Sequence, residues 1–352
     1  MTFEPSVKLL VEQVKNAIAQ KEQLIIEGGG SKKFYGYPPS SDLPVLSMIG
    51  HAGVIDYAPD ELMIHVRAGT PLNDINQLLR ENKQFLAFEP PGFNHKTTIG
   101  GIIASGLSGP RRPYAGSVRD FVLGVTLITG TGDVLSFGGQ VMKNVAGYDV
   151  SRLVTGAMGT LGVILDVSLK VLPAPETERT VTRSIPVDGF QSYMQSIRNN
   201  LPLSAVAHQD GILRLRVSGS EVAVDAALLE LEGEETGNEY WNELNTLSGF
   251  RGQKELWRIS VIPGSQLFLS SAVAIDWGGG IRWIADPEEN LREQLDNEDG
   301  HATLFKHNID EGGAHVEIFQ PLTQPLLGIH QRLKKQFDPI GIFNPGRMYK
   351  DL

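Results

Sequence analysis

Four short segments in the first half of this chain join glycine to hydroxyl side chains in a pattern that could hold a phosphate. The first is Gly28-Gly29-Gly30-Ser31-Lys32, which closes the apolar run Leu24-Ile25-Ile26. Glycine removes the Cβ and permits positive φ, so successive N–H groups can turn inward around an anion. The same triplet could equally make a tight turn, and alone it weighs evenly between the two readings. The second segment, Thr97-Thr98-Ile99-Gly100-Gly101, sets two hydroxyls before a glycine pair. That combination suits a pyrophosphate or the polar edge of a ring. Gly116-Ser117-Val118-Arg119-Asp120 is the third. The fourth runs Thr155-Gly156-Ala157-Met158-Gly159-Thr160-Leu161-Gly162-Val163-Ile164. Four such turns exceed what folding needs, and together they read as one cradle around a large phosphorylated ligand. The spacings match neither G-x-G-x-x-G before a helix nor G-x-x-x-x-G-K-[ST].

The elements that must position these turns follow from periodicity. Val7, Leu10, Val11, Val14 and Ile18 recur at helical spacing and predict a first amphipathic helix. Residues 23–27 and 65–68 predict short strands. Thr70-Pro71 has the form of a helix N-cap followed by proline at the first helical position, with Leu72, Ile75, Leu78 and Leu79 on one face. Residues 90–120 hold Pro90-Pro91-Gly92, Ser105-Gly106 and Gly109-Pro110-Arg111-Arg112-Pro113, and predict an irregular, functional stretch with a turn or two of helix after Gly101. Strands are expected over 121–129 and 133–137. The alternation Val163, Leu165, Val167, Leu169, Val171 predicts a half-buried strand ending at the proline pair Pro173 and Pro175. The second half alternates strand (180–186, 212–217, 257–261, 302–305) with helix (190–198, 222–231, 322–337). The expected class is α+β, with helices on one side of an antiparallel sheet. The expected partition is 1–172, 173–335, and a C-terminal segment 336–352.

Composition narrows the function classes. The chain has 352 residues, a formal net charge of −10 and no cysteine. An acidic chain lacks the basic footprint of a nucleic-acid binder. Without cysteine there are no disulfides, thiol nucleophiles or iron–sulfur clusters of the chain's own. No uninterrupted apolar stretch is long enough for a membrane span, and the first residues do not read as a signal peptide. The expectation is a cytoplasmic protein, peripheral to a membrane only through partners.

The ordered set of Gly28–Ser31, Pro90–Gly92, Thr97–Gly101, Gly116–Asp120 and Gly159–Ile164 resembles the FAD-binding domain of the vanillyl-alcohol oxidase / p-cresol methylhydroxylase superfamily. A second resemblance runs through nearly the whole chain. Gly109–Pro113, Gly116–Gly124, Val141–Asp149, Leu256–Ser260, Asp276–Gly279 and Phe343–Met348 resemble the E-subunit family of bacterial glycolate oxidase. The resemblance implies a two-subdomain FAD domain, a cap with an antiparallel sheet, and a C-terminal segment returning to the flavin. It implies that Gly28, Gly29, Gly30, Ser31 and Lys32, with Thr97, Thr98, Gly100 and Gly101, hold the pyrophosphate. Pro90, Gly92, Ser105 and Gly106 would line the flavin side. Ser117 and Asp120 would lie by the ribityl and phosphate region, Gly162 and Val163 at the adenine end, and Asn344 and Arg347 at the ring. The implied partners are a second FAD-binding flavoprotein subunit and an iron–sulfur subunit, and the implied substrate is a small 2-hydroxy acid.

The sequence also departs from that pattern. Members that tether FAD covalently use His or Cys. Cysteine is absent, and His51 and His95 stand in no tethering context, so FAD is expected to bind non-covalently. Related 2-hydroxy-acid dehydrogenases carry a His-x-Gly-x-Gly-Asn motif in the cap, where a histidine could act as general base. Asn308–His315 has the wrong order, and Gly300-His301-Ala302 is a weak substitute. Catalytic residues are therefore not assigned. Arg111 and Arg112 could bind a substrate carboxylate, or pair with acidic residues or face a partner instead. Arg258 and Arg282, beside Trp257 and Trp283, read as stacked structural cations. Lys143 and Asp149 read as members of a turn. Three functions stay open: an auxiliary FAD subunit of a glycolate-oxidising complex, a self-sufficient 2-hydroxy-acid dehydrogenase, and a scaffold holding no flavin.

Overall fold

The structure is a computed structural model that describes residues 4–139, 149–197, 200–295, 300–307 and 317–352. The motif at 141–148, with Lys143, and the stretch 308–315 lie outside the described residues. Two compact units emerge. One comprises residues 1–108, 117–174 and 322–352; the other comprises 109–116 and 175–321. These groupings differ from the sequence partition in assigning 109–116 to the second unit and 173–174 and 322–335 to the first. The helix Gln324–Phe337 is tied to the first unit because the Lys334 ammonium donates to the carbonyls of Thr160 and Phe343, each at 2.8 Å.

In the first unit, the helix Pro5–Gln20 buries Leu10, Val14 and Ala17, as its apolar spacing requires. The strands Ile25–Glu27 and Val45–Ser47 pair in parallel. A separate five-stranded antiparallel sheet has the order Val54–Ala58, Met63–Arg67, Val163–Lys170, Val122–Ile128 and Val134–Gly138. Val163–Lys170 is its central strand, and it is buried on both faces rather than half-buried. Ser168 is closed in, and Asp166 is met by His65 at 2.7 Å. The alternation of polar and apolar residues is real, but neighbouring structure covers the polar face.

The Thr70 cap is also revised. The helix begins at Leu72, one residue later than expected, and Pro71 takes the N-cap position. The Thr70 hydroxyl instead accepts the Gly53 N–H (2.9 Å) and donates to the Arg67 carbonyl (2.6 Å). The helix expected after Gly101 spans Ile99–Ser105, so both glycines lie inside its first turn.

The second unit is built on one eight-stranded antiparallel sheet with the order Glu234–Thr236, Thr177–Ser184, Ile212–Gly219, Leu203–Gln209, Ala274–Asp276, Ile281–Ala285, Glu255–Val261 and Gly300–His307. The α+β class with an antiparallel sheet is as expected. Four strands, Leu203–Gln209, Glu234–Thr236, Ala274–Asp276 and Ile281–Ala285, had no counterpart in the sequence reading. The helix Glu221–Leu231 inserts Val224, Ala227 and Leu231 into a core with Val206, Leu213 and Leu215. A second core gathers Trp257, Ile259, Ile284 and Leu304.

Candidate functional site

The strand Ile25–Glu27 runs straight into the first glycine loop. The backbone N–H groups of Gly28, Gly29, Gly30, Ser31 and Lys32 find no acceptor among the described residues. The loop is half-exposed, so these five donors are left to solvent or to a ligand in the adjoining cavity. Glycine is also forced here by packing. A Cβ on Gly28 would stand 2.3 Å from the Thr98 hydroxyl, and one on Gly29 only 1.5 Å from the Lys96 carbonyl oxygen. The loop thus packs tightly against the Lys96 backbone and the Thr98 side chain, with no room for a Cβ at either glycine.

The Thr97–Gly106 segment divides its labour. Thr98 caps the helix Ile99–Ser105, its hydroxyl accepting the Gly101 N–H at 3.3 Å. The Ile99 N–H goes to the Thr70 carbonyl and that of Gly100 to the Ala68 carbonyl, so these amides are spent within the protein. A Cβ on Gly100 would lie 2.6 Å from the Ala68 Cβ, so Gly100 allows the helix to seat on the strand. Gly101 points the other way. A Cβ there would meet only its own cap hydroxyl at 3.3 Å and the Lys32 Nζ at 3.8 Å.

The C-terminal segment closes the site through side chains. Asn344, at φ 42°, accepts the Ile26 N–H at 2.7 Å and donates to the Met158 carbonyl at 2.7 Å. Asparagine tolerates this left-handed backbone better than most residues. Arg347 donates to the carbonyls of Tyr37 and Lys32. These contacts bind loop 32–37 and loop 155–160 to the end of the chain.

Together these segments line two adjoining cavities. One encloses ≈ 640 Å³ out to bulk solvent, the other ≈ 420 Å³, and they share Ile26, Gly28, Gly101, Ala104, Met158 and Asn344. Of the residues picked out by sequence, the first cavity takes Gly28 to Lys32, Gly101, Ser105, Asn344 and Arg347. The second adds Thr98, Gly100 and Gly162. The remaining ones are not in either lining. Thr97 is buried beneath the loop. Gly106 ends its helix at φ +66° against Gly156. Gly92 packs near Leu72, and Pro90 is buried. Val163 is buried in the central strand. Ser117 and Asp120 satisfy each other, the Ser117 N–H and hydroxyl donating to the carboxylate at 2.9 and 2.7 Å. Burial works against the Asp120 carboxylate, but the Ser117 hydrogen bonds, then Arg152 and Arg119, hold its pKa below the usual value. Ile26, Tyr35 and Ala104 also line the site, and no motif marked them.

Charge at the site is lopsided. Burial pushes the Lys32 ammonium down to about 8, and its hydrogen-bond partner among the described residues is the Ser31 hydroxyl at 3.4 Å. The one lining carboxylate, Glu27, is held by Lys33 at 2.8 Å. Burial lowers Arg347 to about 10, against the opposing pull of Glu27 and Tyr35. A cationic trough with unpaired amide donors suits an extended anionic ligand.

In the second unit, Arg111 is buried and pairs with Glu178, with Ser218 3.3 Å away. The neighbouring Arg216 lies 3.6 Å from the same carboxylate and donates to Ser204. Arg112 stacks over the Trp277 ring at 4.3 Å, and Arg258 does so at 4.5 Å. Arg258 thus stacks as expected, but not on Trp257, because adjacent strand residues point to opposite faces; Arg292 covers Trp257 instead. Arg282 is wholly buried and donates to the carbonyls of Gly279 and Ser265. Asp149 caps the helix Val150–Val154 through the Arg152 N–H.

Comparison with known proteins gives this geometry a family. The chain is 43% identical over 356 residues to glycolate oxidase subunit GlcE of Escherichia coli strain K12, covering 97% of both. It belongs to the GlcE family of glycolate oxidase subunits. Residues 6–138 match the FAD binding domain family, so this chain is an FAD-binding flavoprotein of the oxidoreductase class. More distant relatives include the glycolate oxidase subunit GlcD of Bacillus subtilis strain 168, at 30% identity over 45% of this chain and 33% of that one. D-lactate dehydrogenase of Anaerostipes hadrus matches at 30% over 41% of this chain and 30% of its own. Among solved structures, alkyldihydroxyacetonephosphate synthase superposes with a TM-score of 0.67 over 96% of this chain and 75% of that one. At 13% identity that match speaks for the fold alone. Among the described residues no helix is long and apolar enough to cross a membrane.

Proposed function

We propose that this chain holds FAD non-covalently in the paired cavities and serves as an FAD-binding subunit of a glycolate-oxidising complex. The complex converts glycolate to glyoxylate and passes electrons to a partner iron–sulfur subunit. In this reading the chain is auxiliary to a second flavoprotein subunit and works in the cytoplasm. The observation that carries the cofactor assignment is the run of five unpaired N–H donors, Gly28 to Lys32, lining a cavity. Bound FAD would supply the redox chemistry, accepting hydride from the α-carbon of a 2-hydroxy acid. The protein's part is to bind and orient. The 28–32 loop takes the pyrophosphate, Gly101 leaves room for close approach, and Asn344 fixes the loops that flank it. No covalent tether is needed, since His51 is buried against Ser6 and His95 is exposed. The auxiliary role rests on the absence of a cap histidine motif in the sequence and on the missing cysteines, which leave onward electron transfer to a partner.

The test is anaerobic addition of glycolate to the purified chain, followed by its visible spectrum. A flavin spectrum that stays oxidised alone, and bleaches once the second flavoprotein subunit is supplied, is the expected result. Bleaching by glycolate alone would make the chain self-sufficient and overturn the auxiliary role. No flavin after incubation with FAD would overturn the cofactor assignment.

A further inference from the structure

We infer that Lys32 is a titrating counter-charge for the pyrophosphate of FAD, so that loading the cofactor draws a proton onto this side chain. The inference rests on the reading of the cavity as the FAD site and adds a charge partner and a pH dependence to it. The geometry carries it. Lys32 lines the cavity beside the five unpaired amides, and its ammonium faces the open side of Gly101. Its hydrogen-bond partner among the described residues is the Ser31 hydroxyl, at a long 3.4 Å. Lys32 is half-buried, and a partly desolvated cation is stabilised by a neighbouring carboxylate where the fold supplies one. Among the described residues no carboxylate is paired with Lys32, in a chain with ten surplus negative charges.

The other charged and titratable groups around the cavity do not serve. Glu27, on the strand that enters the loop, is held by Lys33. Tyr35, further along the loop, carries no positive charge to lend to an anion. Arg347, from the C-terminal segment, is engaged on the backbone carbonyls of Tyr37 and Lys32 and stays cationic across the working range. The helix Ile99–Ser105 and the lining residue Met158 bring no titratable group. Lys32 is therefore the group whose charge can change when an anion arrives.

The direction of the linkage follows. With its pKa pulled down to about 8 by burial, free Lys32 is about half protonated at pH 8 and mostly neutral at pH 9. A pyrophosphate beside it favours the charged form and raises the pKa again. Binding is then tightest where Lys32 is already protonated. It weakens about tenfold between pH 7 and pH 9, as the competent fraction falls to about a tenth.

The experiment titrates FAD, and separately ADP, into deflavinated full-length protein by calorimetry. Runs at pH 7, 8 and 9 use two buffers of different ionisation enthalpy. The wild type is expected to take up about half a proton per FAD at pH 8. Lys32→Arg keeps a charge that does not titrate, so it should bind FAD with no proton uptake and no loss between pH 7 and 9. Lys32→Met should bind both FAD and ADP at least tenfold more weakly at pH 7 and lose the pH dependence. A matching melting temperature of the deflavinated variants establishes that they fold, and the arginine variant carries the test if the methionine variant does not. Equal FAD affinity and equal proton uptake in wild type and Lys32→Arg would overturn the inference while leaving FAD binding intact. Weaker FAD binding with unchanged ADP binding would move Lys32 away from the pyrophosphate and overturn it too. Failure of the wild type to bind FAD at all would sink the underlying assignment instead.

Discussion

The two glycines at the start of the helix Ile99–Ser105 offer a clean separation of folding from binding. They are adjacent in sequence and both look like cofactor glycines, yet their missing side chains face opposite ways. A Cβ on Gly100 would stand 2.6 Å from the Ala68 Cβ and 2.8 Å from its carbonyl oxygen. Both are backbone-anchored atoms that cannot step aside. Gly100→Ala should therefore destabilise the fold by about 1–3 kcal/mol, the usual penalty for overpacking. Gly101 has no such neighbour. Its closest contact is the Thr98 hydroxyl at 3.3 Å, which can turn, and next comes the Lys32 Nζ at 3.8 Å. Its φ is helical, so Gly101→Ala regains up to about 1 kcal/mol of helix propensity. Gly101→Val gives part of that back through its branched side chain. What valine fills is the ligand's space. A hundredfold loss of FAD affinity, about 2.7 kcal/mol, is the expected minimum. The assay pairs thermal melting of the flavin-free protein with the flavin-to-protein ratio after purification. Gly101→Val should melt like wild type and come out colourless. Gly100→Ala should melt several degrees lower, and should regain flavin when cooled with excess FAD. A Gly101→Val protein that retains full flavin would refute the assignment of this face to the cofactor.

Three further outcomes follow from the same coordinates. Asn344→Ala strands the Ile26 N–H and the Met158 carbonyl, and should cost about 2–4 kcal/mol in chemical denaturation. Asn344→Asp keeps the acceptor, sets a carboxylate against the carbonyl, and should recover little of that loss. Asp120 has a folded pKa below its unfolded value, so its contribution to stability is present above that unfolded value and drains away as pH falls through the folded one. Melting curves of wild type and Asp120→Asn should therefore differ at neutral pH and converge in acid. Glu178→Gln removes the carboxylate shared by Arg111 and Arg216 and leaves two buried guanidinium groups without it. A loss of about 3 kcal/mol or more is expected, concentrated in the second unit by hydrogen exchange, while flavin content should hold.

Much of this was legible in the sequence, for identifiable reasons. Gly28 to Lys32 stood out because glycine triplets after an apolar run are few and each residue there has a steric or donor role. The strand at 163–170 was found through its alternation, but its burial was misread. Periodicity reports which residues are apolar, not what covers the polar face. The helix cap slipped from Thr70 to Pro71 because Thr70 found a tertiary partner in Gly53, and long-range competition of that kind leaves no local trace. The pairing of Arg258 with Trp277 rather than Trp257 follows strand alternation and could have been anticipated. Ile26, Ala104 and Tyr35 could not, since an apolar wall residue looks like core until the cavity is seen. Gly100 and Gly101 show the same limit at finer grain, since their opposite roles depend on which side of one helical turn Ala68, just past the strand Met63–Arg67, occupies.

The far end of the chain sets a last and sharper test. Residues 6–138 match an FAD binding domain, so that region alone would suffice if cofactor binding were local to the glycine loops. The cavity says otherwise. Asn344 lines both of its halves, Arg347 lines one, and they reach loops more than 300 residues earlier in the chain. Removing residues 338–352 deletes the Ile26 and Met158 clamp and frees the Tyr37 and Lys32 carbonyls. It also strips Lys334 of its partner Asp338, 2.8 Å away. The glycine loop then keeps its five donors but loses the frame that aims them, and preorganisation of that kind governs affinity. The truncated chain should purify without flavin. To separate loss of the site from loosening of the first unit as a whole, the companion is the full-length Asn344→Ala/Arg347→Met double variant, compared with wild type for circular dichroism and for flavin content. Native-like dichroism with flavin lost is the expected result. Full flavin retention in the folded double variant would show that the N-terminal loops hold the cofactor unaided, and that the returning segment is only a strap across the fold.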